Sequence, residues 1–296
     1  MRIFVTGATG FVGSAVAQEL LQSGHEVMGL ARSEEGARSL SAKGIKVFRG
    51  DLNDLESLKR GASQSDAVIH TGFIHDFSKF KESCEIDRKA IETMGLVLSG
   101  SDKPLIITSA IGILPSGKLV TEETRPLSPN LNPRAATEEA ADFVTAKGAR
   151  VAIVRLSPSV HGQGDHGFIP ILIRIAREQR ASAYIDEGLN RWPAVHRLDA
   201  ARVFRLALEK GFSKGARFHA VAEEGIAFKQ IAEVIGKKLN VPVVRKSSDE
   251  AAAHFTWFTH FAAMNLCASS EQTKEKLGWH PEHSGLISDL EEATYF

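Results

Sequence analysis

The stretch Arg2-Ile3-Phe4-Val5-Thr6-Gly7-Ala8-Thr9-Gly10-Phe11-Val12-Gly13 decides the fold of this 296-residue chain. Arg2–Thr6 is a β-branched and apolar run that ends at a glycine, and Phe11, Ala15, Leu20 and Leu21 then recur near helical spacing until Gly24. Glycines spaced this way between a strand and a helix have separate tasks. Gly7 permits the tight turn off the strand, Gly10 lets a pyrophosphate approach the backbone N–H groups, and Gly13 lets the helix pack close to the sheet. The helix start adds unpaired donors and the positive end of its dipole. The loop is therefore expected to bind a dinucleotide through Gly7, Thr9, Gly10, Phe11, Val12 and Gly13.

The alternation continues outward from this loop. Strands are expected at 26–30, 46–48, 67–70, 105–108 and 151–155, and helices at 33–42, 55–59, 77–98 and 137–147. Repeated β–α units with short connections imply an α/β fold, a doubly wound parallel sheet of the Rossmann type, because crossovers between parallel strands are right-handed. Beyond Leu156 the pattern loosens, with helices expected at 169–178, 199–210, 228–239 and 270–277 and strands at 183–185, 217–221 and 241–245. The expected organisation is a dinucleotide-binding domain over residues 1–160 and a smaller C-terminal α+β substrate lobe over 161–296. Elements near 195–222 return to the core.

Composition narrows the function classes. With 43% hydrophobic residues the chain can bury a full-sized core. Its 36 basic and 36 acidic side chains cancel, so charge gives no reason to expect nucleic acid or an anionic membrane as partner. The N-terminal apolar run breaks at a glycine too early for a signal peptide, and no stretch approaches the ~20 apolar residues of a spanning helix. A cytoplasmic protein, monomer or homodimer, with a small-molecule carbonyl or alcohol substrate is expected. Cys84 and Cys267 lack any CxxC spacing and read as buried free thiols, with no metal site.

The cofactor's identity is read after the second strand, at Leu30-Ala31-Arg32-Ser33. An NAD site places an acid here for the ribose 2′-hydroxyl, and none occurs before Glu34. The Arg32 guanidinium suits a 2′-phosphate and Ser33 can add a donor, so NADP is favoured and NAD stays possible. Asp51 and Leu52 follow the third strand, where Asp51 either meets the adenine or caps the next helix. His70, Thr71 and Gly72 end the fourth strand beside the expected path of the ribose.

Taken with Gly50-Asp51-Leu52-Asn53-Asp54, Ile106-Ile107-Thr108-Ser109, Val154-Arg155-Leu156-Ser157-Pro158, Trp192-Pro193-Ala194-Val195-His196 and Lys276-Leu277-Gly278-Trp279-His280-Pro281, the opening motif resembles the extended or atypical short-chain dehydrogenase/reductase superfamily over nearly the whole chain. The resemblance adds Leu156, Ser157 and Pro158 to the cofactor site. It also implies a catalytic Ser/Thr, Tyr and Lys set, in which the Tyr passes the proton, the Lys lowers its pKa and the Ser/Thr polarises the carbonyl. Ser109 falls at the Ser/Thr place, or Ala110 under a one-residue shift.

The Tyr is absent. Arg134 stands at its place and Glu138 at that of the Lys, while Tyr184 and Tyr295 lie elsewhere. Arg134 and Glu138 are one helical turn apart and read as a surface ion pair. A guanidinium cannot donate a proton at neutral pH, which leaves His75, His161 and His166 as candidate acids or as structural histidines. Phe73 and Trp192 are candidate walls for an apolar substrate, or else core residues. The expected function is an NADP(H)-dependent oxidoreductase that reduces an aldehyde or ketone. The alternatives are a non-catalytic NAD(P)-binding sensor and a sugar-nucleotide epimerase or dehydratase.

Overall fold

In the computed structural model, which describes residues 1–292 and 295–296, the first strands and helices alternate without exception. They are β1 (Arg2–Thr6), α1 (Phe11–Gln22), β2 (Glu26–Ala31), α2 (Glu34–Ala42), β3 (Lys46–Arg49), α3 (Leu55–Ser63), β4 (Ala67–His70), α4 (Phe80–Leu98) and β5 (Pro104–Ala110). A short β6 (Leu119–Val120), α5 (Ala136–Ala146) and β7 (Arg150–Leu156) follow. Next come β8 (Ser159–His161), α6 (Phe168–Gln179), β9 (Ser182–Ile185), β10 (Arg191–His196), α7 (Arg197–Lys210) and β11 (Ala216–Ala220). Seven strands form one parallel sheet in the order β11-β7-β5-β4-β1-β2-β3. The chain enters at β1, runs outward to β3 and returns to β4 on the other side of β1. The carboxyl ends of β1 and β4 therefore flank the crevice where such sheets bind ligands.

Alternation along each strand splits the interior into two layers. Ile3, Val5, Ile69, Ile106 and Val154 pack beneath α1, α2 and α7, and Phe4, Val68, Leu105, Ile107 and Ile153 beneath α3, α4 and α5. Phe204 of α7 and Phe218 of β11 belong to the first of these cores.

The rest of the chain supplies β12 (Glu223–Ala227), α8 (Phe228–Leu239), β13 (Val243–Lys246), α9 (Ser248–Phe255), α10 (Thr259–Ala262), β14 (Cys267–Ala268), α11 (Glu271–Leu277) and α12 (Leu286–Glu292). These strands make a second sheet, β12-β10-β8, and the pairs β13-β9 and β14-β6. A separate core of Trp192, Phe228, Phe255 and Phe258 holds this region together. Strands β9, β11 and β13 match expectation, whereas β8, β10, β12 and α9 have no counterpart in the sequence reading. Four successive residues of β10, Trp192–Val195, are all buried, so it lacks the alternation that marks a half-exposed strand. Cys84 is a buried free thiol as expected, but Cys267 is only half-buried. Among the described residues no helix is long and apolar enough to cross a membrane, and no cluster of three or more His, Cys, Asp or Glu could hold a metal ion.

Candidate active site

The three loop glycines differ in what surrounds them. Gly7 has φ +69°, and a Cβ there would lie 2.7 Å from the Gly72 nitrogen. A Cβ on Gly13 would come within 2.1 Å of the Gly7 carbonyl oxygen and 2.4 Å of Thr71 Oγ1. Thr71 Oγ1 donates to the Thr6 carbonyl at 2.7 Å and Gly72 N to Thr6 Oγ1 at 3.2 Å, so the end of β4 is pinned against the loop. Gly10 is different. A Cβ there would meet only the Gly7 oxygen, at 3.2 Å, and otherwise enter open space.

Gly10 is also the N-cap residue of α1, with no side-chain cap and no acid in the first turn. The first bond of the helix runs from Ser14 N to Gly10 O, leaving the N–H groups of Phe11, Val12 and Gly13 ahead of it. Open donors, a positive helix end and no competing carboxylate fit a dinucleotide pyrophosphate.

At the adenosine end, Arg32 is exposed and has no ion-pair partner among the described residues. Ser33 caps α2 by accepting from Gly36 N at 3.1 Å, and Arg49 is tied to Glu34 at 2.6 Å. Asp51 Oδ1 accepts from both nitrogens of Asn53, at 2.9 and 2.8 Å. The helix cap considered for Asp51 belongs to Asp54, which accepts from Ser57 N at 3.1 Å. Leu52 is half-buried.

The crevice ends of β4 and β5 carry a polar chain that the sequence did not announce. His70, expected beside a ribose, is buried behind the loop, with Nδ1 2.7 Å from Thr6 Oγ1 and Nε2 3.0 Å from Asp87 Oδ1. Asp87 Oδ2 accepts from Arg134 Nη1 and Thr137 Oγ1, each at 2.6 Å. Arg134 Nη1 also meets Thr137, and Nη2 donates to the Thr108 carbonyl at 3.2 Å. Burial opposes charge on Asp87, but the Arg134 guanidinium and the bond from His70 hold its carboxyl down at about 2. Asp87 was missed, although the signal was present: it shares the stripe of Cys84, Ile91, Met94 and Leu98 on α4. An acid on a buried stripe requires a partner.

Arg134 and Glu138 do not pair on the surface. Glu138 is fully buried, holding Arg155 through both carboxylate oxygens at 2.7 and 2.8 Å and Arg217 Nε at 3.0 Å. Burial pushes its carboxyl up, and the bonds and charges of Arg155 and Arg217 outweigh that push, so it titrates below its ordinary value. Ser109 joins this cluster. Its hydroxyl, expected to polarise a substrate carbonyl, donates to Glu138 Oε1 at 2.9 Å and is buried with it. Its neighbours Thr108 and Ala110 are the partly exposed residues at this end of β5.

The remaining candidates divide into crevice and core. Ser157 is buried and donates to the Ala220 carbonyl at 2.9 Å, between the half-buried Leu156 and Pro158. His161 is fully buried, its Nδ1 2.8 Å from Asp289, and Trp192 lies inside the second core, so neither lines an open pocket. Phe73 is half-buried and His75 exposed, their ring centroids 5.1 Å apart. Desolvation by neighbouring atoms, then the charges of Arg134 and His166, hold the His75 imidazole below its ordinary pKa. His166 is exposed, its ring edge-on to Phe11 at 5.7 Å. Tyr295 is no stand-in for the absent Tyr. Burial and the neighbouring Asp165 push its phenol up, opposite to what a proton donor needs.

A family model for the NAD dependent epimerase/dehydratase family matches residues 3–219. The chain is 50% identical over 297 residues to an uncharacterized protein of Schizosaccharomyces pombe, with 100% of each covered. It is 27% identical to a 2-alkyl-3-oxoalkanoate reductase of Stenotrophomonas maltophilia, over 71% of this chain and 66% of that one. Among solved structures it is similar to a dTDP-glucose 4,6-dehydratase from Streptomyces venezuelae with NAD bound. The TM-score is 0.77 at 19% identity, over 98% and 95% of the two chains, and the likeness is one of fold.

Proposed function

The chain belongs to the NAD dependent epimerase/dehydratase family, within the extended short-chain dehydrogenase/reductase superfamily, and on that premise we propose that it is an NADP(H)-dependent reductase of aldehydes or ketones. The observation that carries the cofactor preference is Arg32, exposed and unpaired among the described residues where an NAD site would hold an acid. The similarity to an oxoalkanoate reductase supports a carbonyl substrate.

When bound, the dinucleotide supplies the hydride, and the chain's own residues hold and orient it. Phe11, Val12 and Gly13 offer backbone donors to the pyrophosphate, and Arg32 offers charge to the 2′-phosphate. Ser109 is set aside as carbonyl donor because its hydroxyl serves Glu138. Water supplies the proton to the substrate oxygen, because the His75 imidazole, held below its ordinary pKa, is mostly unprotonated at neutral pH.

A second reading, a dinucleotide-binding sensor without chemistry, is favoured by one observation. Both residues at the Tyr and Lys places, Arg134 and Glu138, are held in buried networks. Titrating NADPH and NADH into the native protein and Arg32→Ala tests the cofactor assignment. Arg32→Ala is expected to weaken NADPH by about 10–100-fold more than NADH, the worth of a charge-assisted pair. Equal losses for both cofactors overturn the NADP preference. Tight binding without turnover across a panel of aldehydes and ketones selects the sensor.

A further inference from the structure

The guanidinium of Arg134 is built into the crevice more firmly than a surface cation needs to be. Asp87 and Thr137 take its Nη1 and the Thr108 carbonyl takes one Nη2 hydrogen, while Asp87 itself is braced by His70, which Thr6 holds in turn. The guanidinium carbon lies 4.1 Å from the Phe73 ring centroid, a cation–π contact that adds to the bonds fixing its position. Among the described residues no acceptor engages Nε. Nε–H and one Nη2 hydrogen are thus left without an acceptor among the described residues, donors of the kind that a carboxylate takes. The side chain is 13% exposed, so part of it is open to solvent. Asp87, the one acid it contacts, lies behind it and is already satisfied.

Beside this cation stands an aromatic wall. Phe73 packs edge-on to Phe80 at 6.2 Å, Phe80 stacks on Phe77 at 5.8 Å, and Phe77 meets Trp257 and Phe261, each at 5.5 Å. The wall joins the loop after β4 to the segment around α10, and Trp257 is 49% exposed. A large exposed indole beside half-buried phenylalanines is the surface that an apolar ligand covers.

We propose that Arg134 and this wall together form a subsite for an organic carboxylate with an aromatic body, so that the carbonyl substrate is an oxo acid rather than a neutral ketone. The proposal rests on the reductase reading for its carbonyl, but the carboxylate subsite is tested by binding alone. Benzoylformate and its uncharged methyl ester are titrated, with intrinsic tryptophan fluorescence as readout, into the native protein saturated with NADP, and dinucleotide affinity is measured in the same preparation. The acid should bind at least about 10-fold more tightly than the ester, the worth of one charge-assisted contact. Arg134→Gln should remove that difference and Arg134→Lys should restore part of it, with dinucleotide affinity kept in both. Because Arg134→Gln also unpairs the buried Asp87, the double variant Asp87→Asn, Arg134→Gln is measured alongside and should likewise show no preference. Equal binding of acid and ester, binding of neither, or a preference that survives in both Gln variants overturns the subsite. Loss of dinucleotide binding in the native protein instead overturns the reductase reading.

Discussion

Glu138→Gln is the most informative single change, because one carboxylate neutralises two guanidiniums inside the sheet layer. Glu138 and Arg155 are both fully buried, and the Arg217 side chain is 10% exposed. The amide keeps the shape and one acceptor, but its NH2 group turns either the Arg155 Nε bond or both the Arg155 Nη2 and Arg217 Nε bonds into contacts between donors, and the negative charge is gone. Besides that one amide oxygen, Arg155 keeps the Glu122 carbonyl at 3.3 Å and His219 Nε2 at 3.2 Å, none of them charged. Removing one partner of a buried pair costs about 3–5 kcal/mol, since a desolvated charge stays behind. For a chain of this size that corresponds to a fall in Tm of about 5–8 °C. Thermal unfolding followed by circular dichroism gives the shift, and a dinucleotide titration at 25 °C checks that the phosphate loop, in another part of the sheet, is unaffected. A fall of less than about 2 °C would mean that water or rearrangement already screens the arginines, and the buried-pair reasoning would not stand.

Gly13→Ala should cost about 1–3 kcal/mol in stability by overpacking and should weaken dinucleotide binding, because its Cβ starts 2.1 Å from the Gly7 carbonyl oxygen. An unchanged melting curve and unchanged affinity together contradict the close approach of helix and loop. His219 supplies a pH dependence of defined sign. Burial, then the charge of Arg155, lower its imidazole from 6.5 to about 4 in the folded state. Between those values the unfolded chain takes up a proton that the folded one refuses, so stability falls with pH, by about 2 kcal/mol at pH 5. Urea midpoints at pH 7 and pH 5 measure this, and His219→Gln should flatten the slope. A variant as acid-sensitive as the native protein would place the effect elsewhere.

What the sequence by itself determined is local or periodic. The glycine loop, strands β1 to β5 and β7 and the helices between them are each set by near-neighbour spacing, and parallel pairing with right-handed crossovers follows from their order. The missing Tyr and the absence of an acid before Glu34 are equally plain in the residues alone. The partners of the charged side chains belong to tertiary structure. Arg134 and Glu138, four residues apart, face different neighbours because one emerges at the crevice end of β5 and the other is drawn under the sheet by Arg155 and Arg217, contributed by β7 and β11. Arg134 meets Asp87 across 47 residues, and Ser109 finds Glu138 across 29. The aromatic wall likewise unites Phe73 and Phe77 with Trp257 and Phe261, which only the docking of the second core against the first brings together. Backbone periodicity is a property of neighbours along the chain, so it can be read there. The compensation of a buried charge is a property of neighbours in space, and only the folded molecule fixes those.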